Sequence, residues 1–488
     1  MTDSTAPPRQ AGRRPSAVLA VLCAADFLVV LDGLVVAVAL PAMQQALAIS
    51  AGALQWVVTS YVLCFGGFLL LAGRLGDLYG RRRVLLVGLM VFAAGSLLAG
   101  LAWNPWALFA GRAVQGLGAA ATAPAALALL TTAVQDPAAR DRALGVWSAV
   151  GSAGIPAGAL LGGLLTATAG WRWAFLINVP AALAAAVATR AIVTESRAEG
   201  ARKRPDWAGA GLIIGGLTLV IAGISQTEHV HTLPAVMVRV AGPLAVGCGL
   251  IAGFLLVERR APAPLVPLEQ LRAPGRWPAY VVGLVLPVGL GAALFLATLY
   301  LQRVRGLGPL ATGTAYLALA VPCIAASPLG SRLATRLGRR TTAVMGLLLQ
   351  IGGLLVLARI SANSGLAGVI TGFVLIGLGA PIAFVPTTAT AMDSPGSEPG
   401  LASGLFNTSQ QLGNALALAA IATMAAGWTA RADPSGHPAA LTSGYRAGFL
   451  LAAGIVVIGV IPALRLNSDR GHRRDRPQPA TPAGTASR

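Results

Sequence analysis

The stretch Gly73-Arg-Leu-Gly-Asp-Leu-Tyr-Gly-Arg-Arg-Arg83 joins two long apolar runs and carries the most specific pattern in the chain. Its first two glycines allow helix ends to approach closely, and Gly80 permits a tight turn. Asp77 can cap a neighbouring helix N-terminus or pair with an arginine such as Arg81. A basic loop that only fixed membrane orientation would need no glycine or aspartate at these places. The pattern therefore predicts a structured junction between helices.

The same pattern recurs in the second half of the chain. Residues 73–82 align with Ser331-Arg-Leu-Ala-Thr-Arg-Leu-Gly-Arg-Arg340 at a constant offset of 258 residues. Thr335 takes the place of Asp77, so the second copy lacks the acid. A helical bundle duplicated in parallel is one construction of secondary transporters. The repeat predicts two equivalent halves whose junctions differ in charge.

Composition excludes an ordinary water-soluble protein. Of the 488 residues 56% are hydrophobic and 11% charged, against about 25% charged in soluble domains, and the mean hydropathy is +0.72. Runs of about 20 apolar residues are long enough to cross a bilayer. An all-α polytopic membrane protein is expected, with spans near 18–40, 54–72, 84–102, 107–131, 143–166, 174–193, 208–226, 236–257, 279–301, 311–330, 342–358, 366–391, 401–427 and 446–464.

These fourteen spans divide into two six-helix bundles with two inserted helices between them. The first run lacks a cleavage-site pattern and is expected to be a retained span. The predicted organisation is an N-terminal arm, a first bundle, a basic linker, the inserted pair, a second linker, a second bundle and a disordered tail, at residues 1–17, 18–193, 194–207, 208–257, 258–278, 279–464 and 465–488.

Loop charges orient the bundle. The arms and loops on the side of the two termini hold 28 of the 36 Lys and Arg residues, so both termini are predicted to be cytoplasmic. This topology accounts for the formal charge of +19 without a nucleic-acid partner. The four cysteines lie in apolar runs without CxxC spacing, which argues against a disulfide framework or a zinc site. The excess of arginine over lysine indicates a GC-rich, bacterial source.

Several stretches resemble the fourteen-span drug:proton antiporters of the major facilitator superfamily, the EmrB/QacA type. They are the junction itself, Leu31-Asp-Gly-Leu-Val-Val-Ala-Val-Ala-Leu-Pro41, Trp56-Val-Val-Thr-Ser-Tyr61, Gly111-Arg-Ala-Val-Gln-Gly116, Trp171-Arg-Trp-Ala-Phe-Leu-Ile-Asn-Val-Pro180 and the segment from Gly400 to Gly413. Ala37 departs from the pattern, where the family usually has asparagine. The resemblance implies a monomeric cell-membrane transporter that needs no cofactor and exchanges amphipathic small molecules for protons. It also implies that the junction with Gly73, Asp77, Gly80 and Arg81 gates the conformational change.

Charged residues inside the spans are few. Asp26 and Asp32 in span 1 are the carboxylates that lie clearly inside an apolar run, and Arg112 lies inside span 4. At about 1.5 Å per residue, Asp32 and Arg112 lie at depths of about 12 and about 9 Å, and buried opposite charges usually pair. A protonatable gate and a static structural pair both fit this arrangement. Asp26 faces about 240° away, and it either lines a deeper cavity or bonds to a neighbouring helix.

Two further patterns lie on single helix faces. Gly154, Gly158 and Gly162 are spaced four apart with Gly163 beside them, which resembles the antiporter glycine motif and also suits a plain packing face. The usual proline after the second glycine is Ala159 here. A polar stripe in span 13 and one glutamine of span 4 are candidate cavity linings, namely Asn407, Gln411, Asn414 and Gln115. Interhelical hydrogen bonding explains the stripe almost as well.

The sequence also bears on two other functions, nutrient uptake and enzyme catalysis in the membrane. Proton-coupled uptake of a small metabolite remains open, because the residues do not fix the direction of transport. A membrane-embedded enzyme is disfavoured, since the chain has no phosphate-binding GxxxxGK[ST], HExxH or Gly-x-Ser-x-Gly motif. His229 and His231 share a loop with Glu228, but this set offers too few ligands for a metal, and none is expected.

Overall fold

The computed structural model describes residues 15–134, 136–197, 206–226, 236–260, 276–392, 399–433 and 437–466, and these contain helices and no strand. The long helices, numbered in chain order, are α1 Pro15–Ala46, α2 Trp56–Tyr79, α3 Arg81–Gly100, α4 Pro105–Ala133, α5 Pro137–Thr168, α6 Trp173–Ile192, α7 Trp207–Ser225, α8 Met237–Arg260, α9 Trp277–Val304, α10 Pro309–Leu337, α11 Arg339–Leu357, α12 Ala367–Met392, α13 Pro399–Ala432 and α14 Pro438–Ala463.

The all-helical, multi-pass prediction is confirmed. Within the described ranges, 13 helices are long and apolar enough to cross a membrane. The remaining long helix, α5, contributes a shorter apolar stretch, Pro156–Thr168. The number of fourteen spans and the cytoplasmic side of the termini stay predictions, and most of the predicted arm and tail lies outside the described residues.

The helix ends follow from local sequence. The side chains of Asn104, Asp136 and Asp206 each accept the backbone N–H of the residue three positions later, at 2.8, 2.7 and 2.8 Å. Proline occupies the first helical position of α4 and α5, where its missing N–H is not needed. Gly80 and Gly338 end α2 and α10 with φ angles of 106° and 89°, a backbone region that favours glycine.

Small residues let the helices of each half touch. On α3, Gly88 and Gly95 leave no room for a Cβ against α4, and at the same offset of 258 residues Gly346 and Gly353 on α11 do the same against α12. Membrane helices lack a strong hydrophobic drive to associate, so close packing at small residues holds them together. Helices α1 to α6 and α9 to α14 form two such packed groups.

The inserted helices α7 and α8 pack on each other, and α7 docks on both α2 and α13. Gly67 of α2 lies against Ile214 of α7, and Gln55 Nε2 donates to Ser225 Oγ at 2.7 Å. Helix α8 extends through Arg260, past the predicted span end at residue 257, and it buries Glu258 to 3% exposure. The helical spacing of four residues from the buried Phe254 is the signal that would have placed Glu258 inside the helix.

The contacts between the two halves include three helix pairs. Gln302 Nε2 of α9 donates to the Val38 carbonyl of α1 at 2.8 Å. Helices α5 and α10 touch where the Ala159 carbonyl meets Gly313, and α2 meets α13 where Gln411 lies on Gly66. The first two contacts lie at the end of the bundle that the loop charges predict to be extracellular.

Candidate functional site

A buried ion pair lies in the core of the N-terminal half. Asp32 of α1 is 0% exposed and Arg112 of α4 is 1% exposed. Arg112 Nη1 donates to Asp32 Oδ2 at 2.6 Å. The structure therefore brings together the two charges that the sequence places at similar depth.

Two amides complete the surroundings of the carboxylate. Gln115 Nε2 of α4 and Asn178 Nδ2 of α6 both donate to Asp32 Oδ1, at 3.1 and 2.7 Å. With Arg112, the carboxylate accepts three N–H groups. An ionised carboxylate can only accept hydrogen bonds, so this arrangement suits the charged form of Asp32.

Arg112 is anchored independently of Asp32. Its Nε donates to the Val57 carbonyl of α2 at 2.9 Å, and its Nη1 donates to Gln115 Oε1 at 2.8 Å. The guanidinium lies 4.3 Å from the centre of the Tyr61 ring and 5.8 Å from that of Phe175, within the range of cation–π attraction. The arginine therefore keeps partners when the charge of Asp32 changes.

The pair has one member that can change its charge. The arginine guanidinium stays protonated in proteins, whereas a carboxylate can take up or release one proton. Removing one partner of a buried pair leaves an uncompensated charge at a cost of about 3–5 kcal/mol. The chemistry available at this cluster is thus proton exchange at Asp32 against a fixed positive charge.

Asp26 lies apart from this cluster. It is half-buried on α1, and its Oδ2 lies 3.6 Å from the place where a Cβ on Gly151 of α5 would stand. Within the described residues no hydrogen bond joins it to Asp32. Its part in proton coupling therefore stays a prediction.

The glycine face of α5 packs directly on α1 around Asp32. Gly154 lies against Val30, Gly158 against the Leu31 carbonyl and Leu34, and Gly162 against Val35, where an added Cβ would come within 2.9 Å in each case. Gly163 points elsewhere and touches Pro309 and Leu310 of α10. Three of the predicted glycines therefore pack against α1, which carries Asp32. The fourth, Gly163, lies at the contact between the two halves.

At the junction between α2 and α3, Asp77 pairs with Arg81, with Oδ1 and Nη2 at 2.9 Å. The N-terminus of α3 is capped by a residue that the sequence analysis did not single out. Glu195, just after α6, accepts the backbone N–H groups of Arg82 and Arg83 at 2.9 and 3.2 Å. An acid in the basic linker was the available signal for this cap, because carboxylates favour helix N-termini, but the linker also holds Glu199 and Asp206.

The candidate cavity-lining residues take different places. Gln115 belongs to the Asp32 cluster, where its Nε2 also donates to Ser96 Oγ at 2.7 Å. Gln411 and Asn414 lie against Gly66 and Gly291, whereas Asn407 is exposed. The loop that carries His229 and His231 lies outside the described residues.

Two cavities are lined by residues other than these four candidates. One of about 340 Å³ opens between the inserted helices and α2, α9 and α13, and it is lined by residues such as Phe254, Trp277 and Tyr280. The other, of about 480 Å³, runs between α1, α5 and α6 and is lined by Ala20, Leu31, Leu161, Asn178 and further small residues. Asn178 thus borders a cavity and also binds Asp32.

Comparison with known proteins agrees with this architecture. Residues 22–418 match the model of the Major Facilitator Superfamily. The chain is 38% identical to a puromycin resistance protein of Streptomyces alboniger over 469 residues, covering 94% of this chain and 92% of the relative. It is 36% identical to a cephamycin export protein of Amycolatopsis lactamdurans over 466 residues, covering 93% and 94%. A tetracenomycin C resistance and export protein of Streptomyces glaucescens is 35% identical over 414 residues, covering 85% and 76%.

Solved structures show the same fold at low sequence identity. A bacterial homologue of the human lysosomal transporter Spinster, in an inward-facing and unoccupied conformation, superposes with a TM-score of 0.67 at 16% identity, covering 96% of this chain and 99% of that one. The family match and the named relatives confirm the prediction of a transporter rather than an enzyme. The chain belongs to the major facilitator superfamily of multi-pass membrane transporters.

Proposed function

We propose that the chain exports amphipathic organic compounds, antibiotics among them, across a bacterial cell membrane in exchange for protons. Three relatives of 35% identity or more are named for antibiotic resistance or export. The observation that carries proton coupling is the fully buried Asp32 beside Arg112. Such a residue in a membrane helix is expensive to maintain and is a functional-site hypothesis by default.

The coupling follows from linkage between two states of the bundle. Protonation of Asp32 removes its attraction to Arg112, while Arg112 keeps its partners on α2. Helix α1 carries Asp32, packs on the glycine face of α5 and bonds to α9 of the other half. Proton and substrate need only prefer different arrangements of these helices to drive one another.

The buried charges also restrict the substrate. A buried dication needs compensating carboxylates, and the buried carboxylates among the described residues are Asp32 and Glu258. Asp32 already faces Arg112, and Glu258 lies at the end of α8. We therefore expect neutral or singly charged amphipathic compounds, which suits self-protection in an antibiotic-producing bacterium.

Transport into proteoliposomes with an acidic interior and an enclosed pH dye tests the exchange. Adding puromycin or ethidium outside should raise the internal pH as the compound accumulates, and a protonophore should abolish accumulation. A proton-coupled uptake carrier would move proton and compound in the same direction and lower the internal pH. Absence of any compound-dependent proton movement, across a panel that includes puromycin, would contradict the proposal.

Substrate charge is tested with matched lipophilic cations in the same vesicles. Monovalent members of each pair should be transported at least about tenfold faster than their divalent analogues. This ratio corresponds to about 1.4 kcal/mol, a modest part of the cost of an uncompensated charge. Equal transport of the divalent members would contradict the charge restriction and leave the exchange itself intact.

A further inference from the structure

Asn178 differs from the other donors to Asp32 in having an unused acceptor. It is fully buried, and its Nδ2 donates to Asp32 Oδ1 at 2.7 Å. Its Oδ1 is buried without a hydrogen-bond partner among the described residues. By contrast, Gln115 uses both ends of its amide, accepting from Arg112 and donating to Asp32 and Ser96. Asn178 is therefore the amide in this cluster that can turn over without breaking bonds to other residues.

The protonated form of Asp32 needs a different hydrogen-bond partner from the ionised form. A carboxylic acid carries an O–H donor, which needs an acceptor, whereas the ionised carboxylate needs donors. A primary amide offers a donor on one side and an acceptor on the other. Rotation about the last torsion of asparagine is broad and roughly twofold, so the Asn178 amide can present either group to the same oxygen of Asp32.

Asn178 lies at a break in helix α6. Helix α6 is interrupted at Ile177, and Asn178 is the first residue of its second part. Asn178 also borders the 480 Å³ cavity between α1, α5 and α6. The residue therefore lies beside both a helix break and a cavity, although it is itself fully buried.

We propose that Asn178 is a positioning residue for proton exchange at Asp32, whose amide donates to the ionised carboxylate and turns over to accept from the protonated acid. This inference rests on the proposed proton-coupled transport. It makes α6 and its cavity sensitive to the charge of Asp32, because the buried Asn178 belongs to both.

Other side chains surround Asp32 on each of the neighbouring helices of the N-terminal half. Arg112 of α4 and Tyr61 of α2 are the charged and titratable side chains at the cluster, and Asp26 lies on the same helix as Asp32. Ser96 of α3 bonds to Gln115. Helix α5 contributes its glycine face, and α6 contributes Asn178 and Phe175.

The test compares pH profiles of substrate-driven proton exchange in proteoliposomes. Asn178→Leu removes both hydrogen bonds, and a bond to a charged group is stronger than one to a neutral group. The ionised form of Asp32 loses more, so the profile midpoint should move upward by about one pH unit, a tenfold change in proton affinity. Asn178→Gln keeps donor and acceptor and should return the midpoint to within a few tenths of a unit.

Thr189→Val is the matched control, since Thr189 is also fully buried on α6. It should leave the midpoint unchanged; a shift equal to that of Asn178→Leu would overturn the inference, because it would mark a general effect of disturbing α6. An unshifted Asn178→Leu profile in a protein that still exchanges protons would also overturn it. If wild-type protein shows no substrate-driven proton exchange, the proposed function fails instead.

Infrared difference spectra give a readout that does not depend on the folding of Asn178→Leu. Wild-type protein carries six asparagines, which can be labelled with carbon-13 at the side-chain carbonyl. A labelled amide band should shift between acidic and alkaline pH with the midpoint of transport and should be missing in Asn178→Gln. A labelled wild-type spectrum with no such band would overturn the inference.

Discussion

In the N-terminal half Asp32 precedes Gly33 on α1 and pairs with Arg112; in the C-terminal half, 258 residues later, Leu290 precedes Gly291 on α9. The glycine is repeated and the charge is not. Glycines at helix contacts recur in the same way, as Gly88 and Gly346 show against α4 and α12. Among the described residues, the backbone architecture is therefore duplicated, whereas the buried acid–arginine pair lies in the N-terminal half.

The C-terminal half has a neutral polar cluster in its core. Thr298 of α9 and Tyr316 of α10 are hydrogen-bonded to each other, and Tyr316 also donates to the Leu294 carbonyl at 2.8 Å. The Tyr316 ring stacks on Phe373 of α12 with centroids 5.2 Å apart. Such a cluster stabilises helix contacts without responding to pH near neutrality, since the tyrosine hydroxyl ordinarily titrates near pH 10.

The largest effect expected from this difference is loss of transport in Asp32→Asn. Asparagine keeps the shape of the side chain and loses the titratable group, so substrate-driven proton exchange should fall to background. The protein should still reach the membrane, because Arg112 retains the Val57 carbonyl and the Tyr61 ring. Asp433→Asn in the C-terminal half is the control for the same chemical change and should keep transport. Wild-type resistance in Asp32→Asn at equal abundance would remove Asp32 from the mechanism.

Next in size is the stability loss in Arg112→Gln. This change leaves the ionised Asp32 without its counter-charge, which should lower the free energy of unfolding by about 3–5 kcal/mol at neutral pH. Thermal unfolding in detergent at neutral pH measures the loss. Combining Arg112→Gln with Asp32→Asn should restore most of the stability and none of the transport. A double variant as unstable as Arg112→Gln alone would show that the stability loss is not electrostatic.

The α2–α3 and α10–α11 junctions allow the two halves to be compared at one equivalent glycine. Gly80 and Gly338 both have a positive φ. A Cβ on Gly80 would stand 2.7 Å from Glu195 Oε1, whereas nothing lies within 4 Å of a Cβ on Gly338. Gly338→Ala should cost about 1–3 kcal/mol of unfolding free energy from backbone strain. Gly80→Ala should cost more, because it also displaces the Glu195 cap of α3. Equal losses in thermal unfolding would mean that this cap contributes little.

The sequence predicted the repeat, the apolar spans and the depth of Asp32 and Arg112, because these depend on spacing and hydropathy along the chain. It could not predict Asn178 as a partner of Asp32 or Glu195 as the cap of α3. Both contacts join residues more than 100 positions apart, and neither residue differs in type from ordinary loop and helix-end residues. Gln115 shows the same limit, since a polar residue on an apolar helix suits a cavity wall and a buried cluster equally well.

The smallest effect on stability is expected at the acid that distinguishes the first junction from the second. Asp77 and Arg81 form an i, i+4 pair in which the Asp77 side chain is 44% exposed, so Asp77→Asn should change the free energy of unfolding by at most about 0.5 kcal/mol. Its effect should instead appear in turnover, since Asp77 lies at a helix junction far along α2 from the Asp32 cluster. Equilibrium binding of a transported compound and its transport rate, measured on the same preparation, separate the two. Thr335→Val at the second junction removes a hydroxyl that bonds only to its own helix, at the Arg332 carbonyl, and should leave both quantities unchanged. If Asp77→Asn weakened binding and spared turnover, the junction would belong to the substrate site, and the asymmetry between the two halves would lie in recognition rather than in the conformational step.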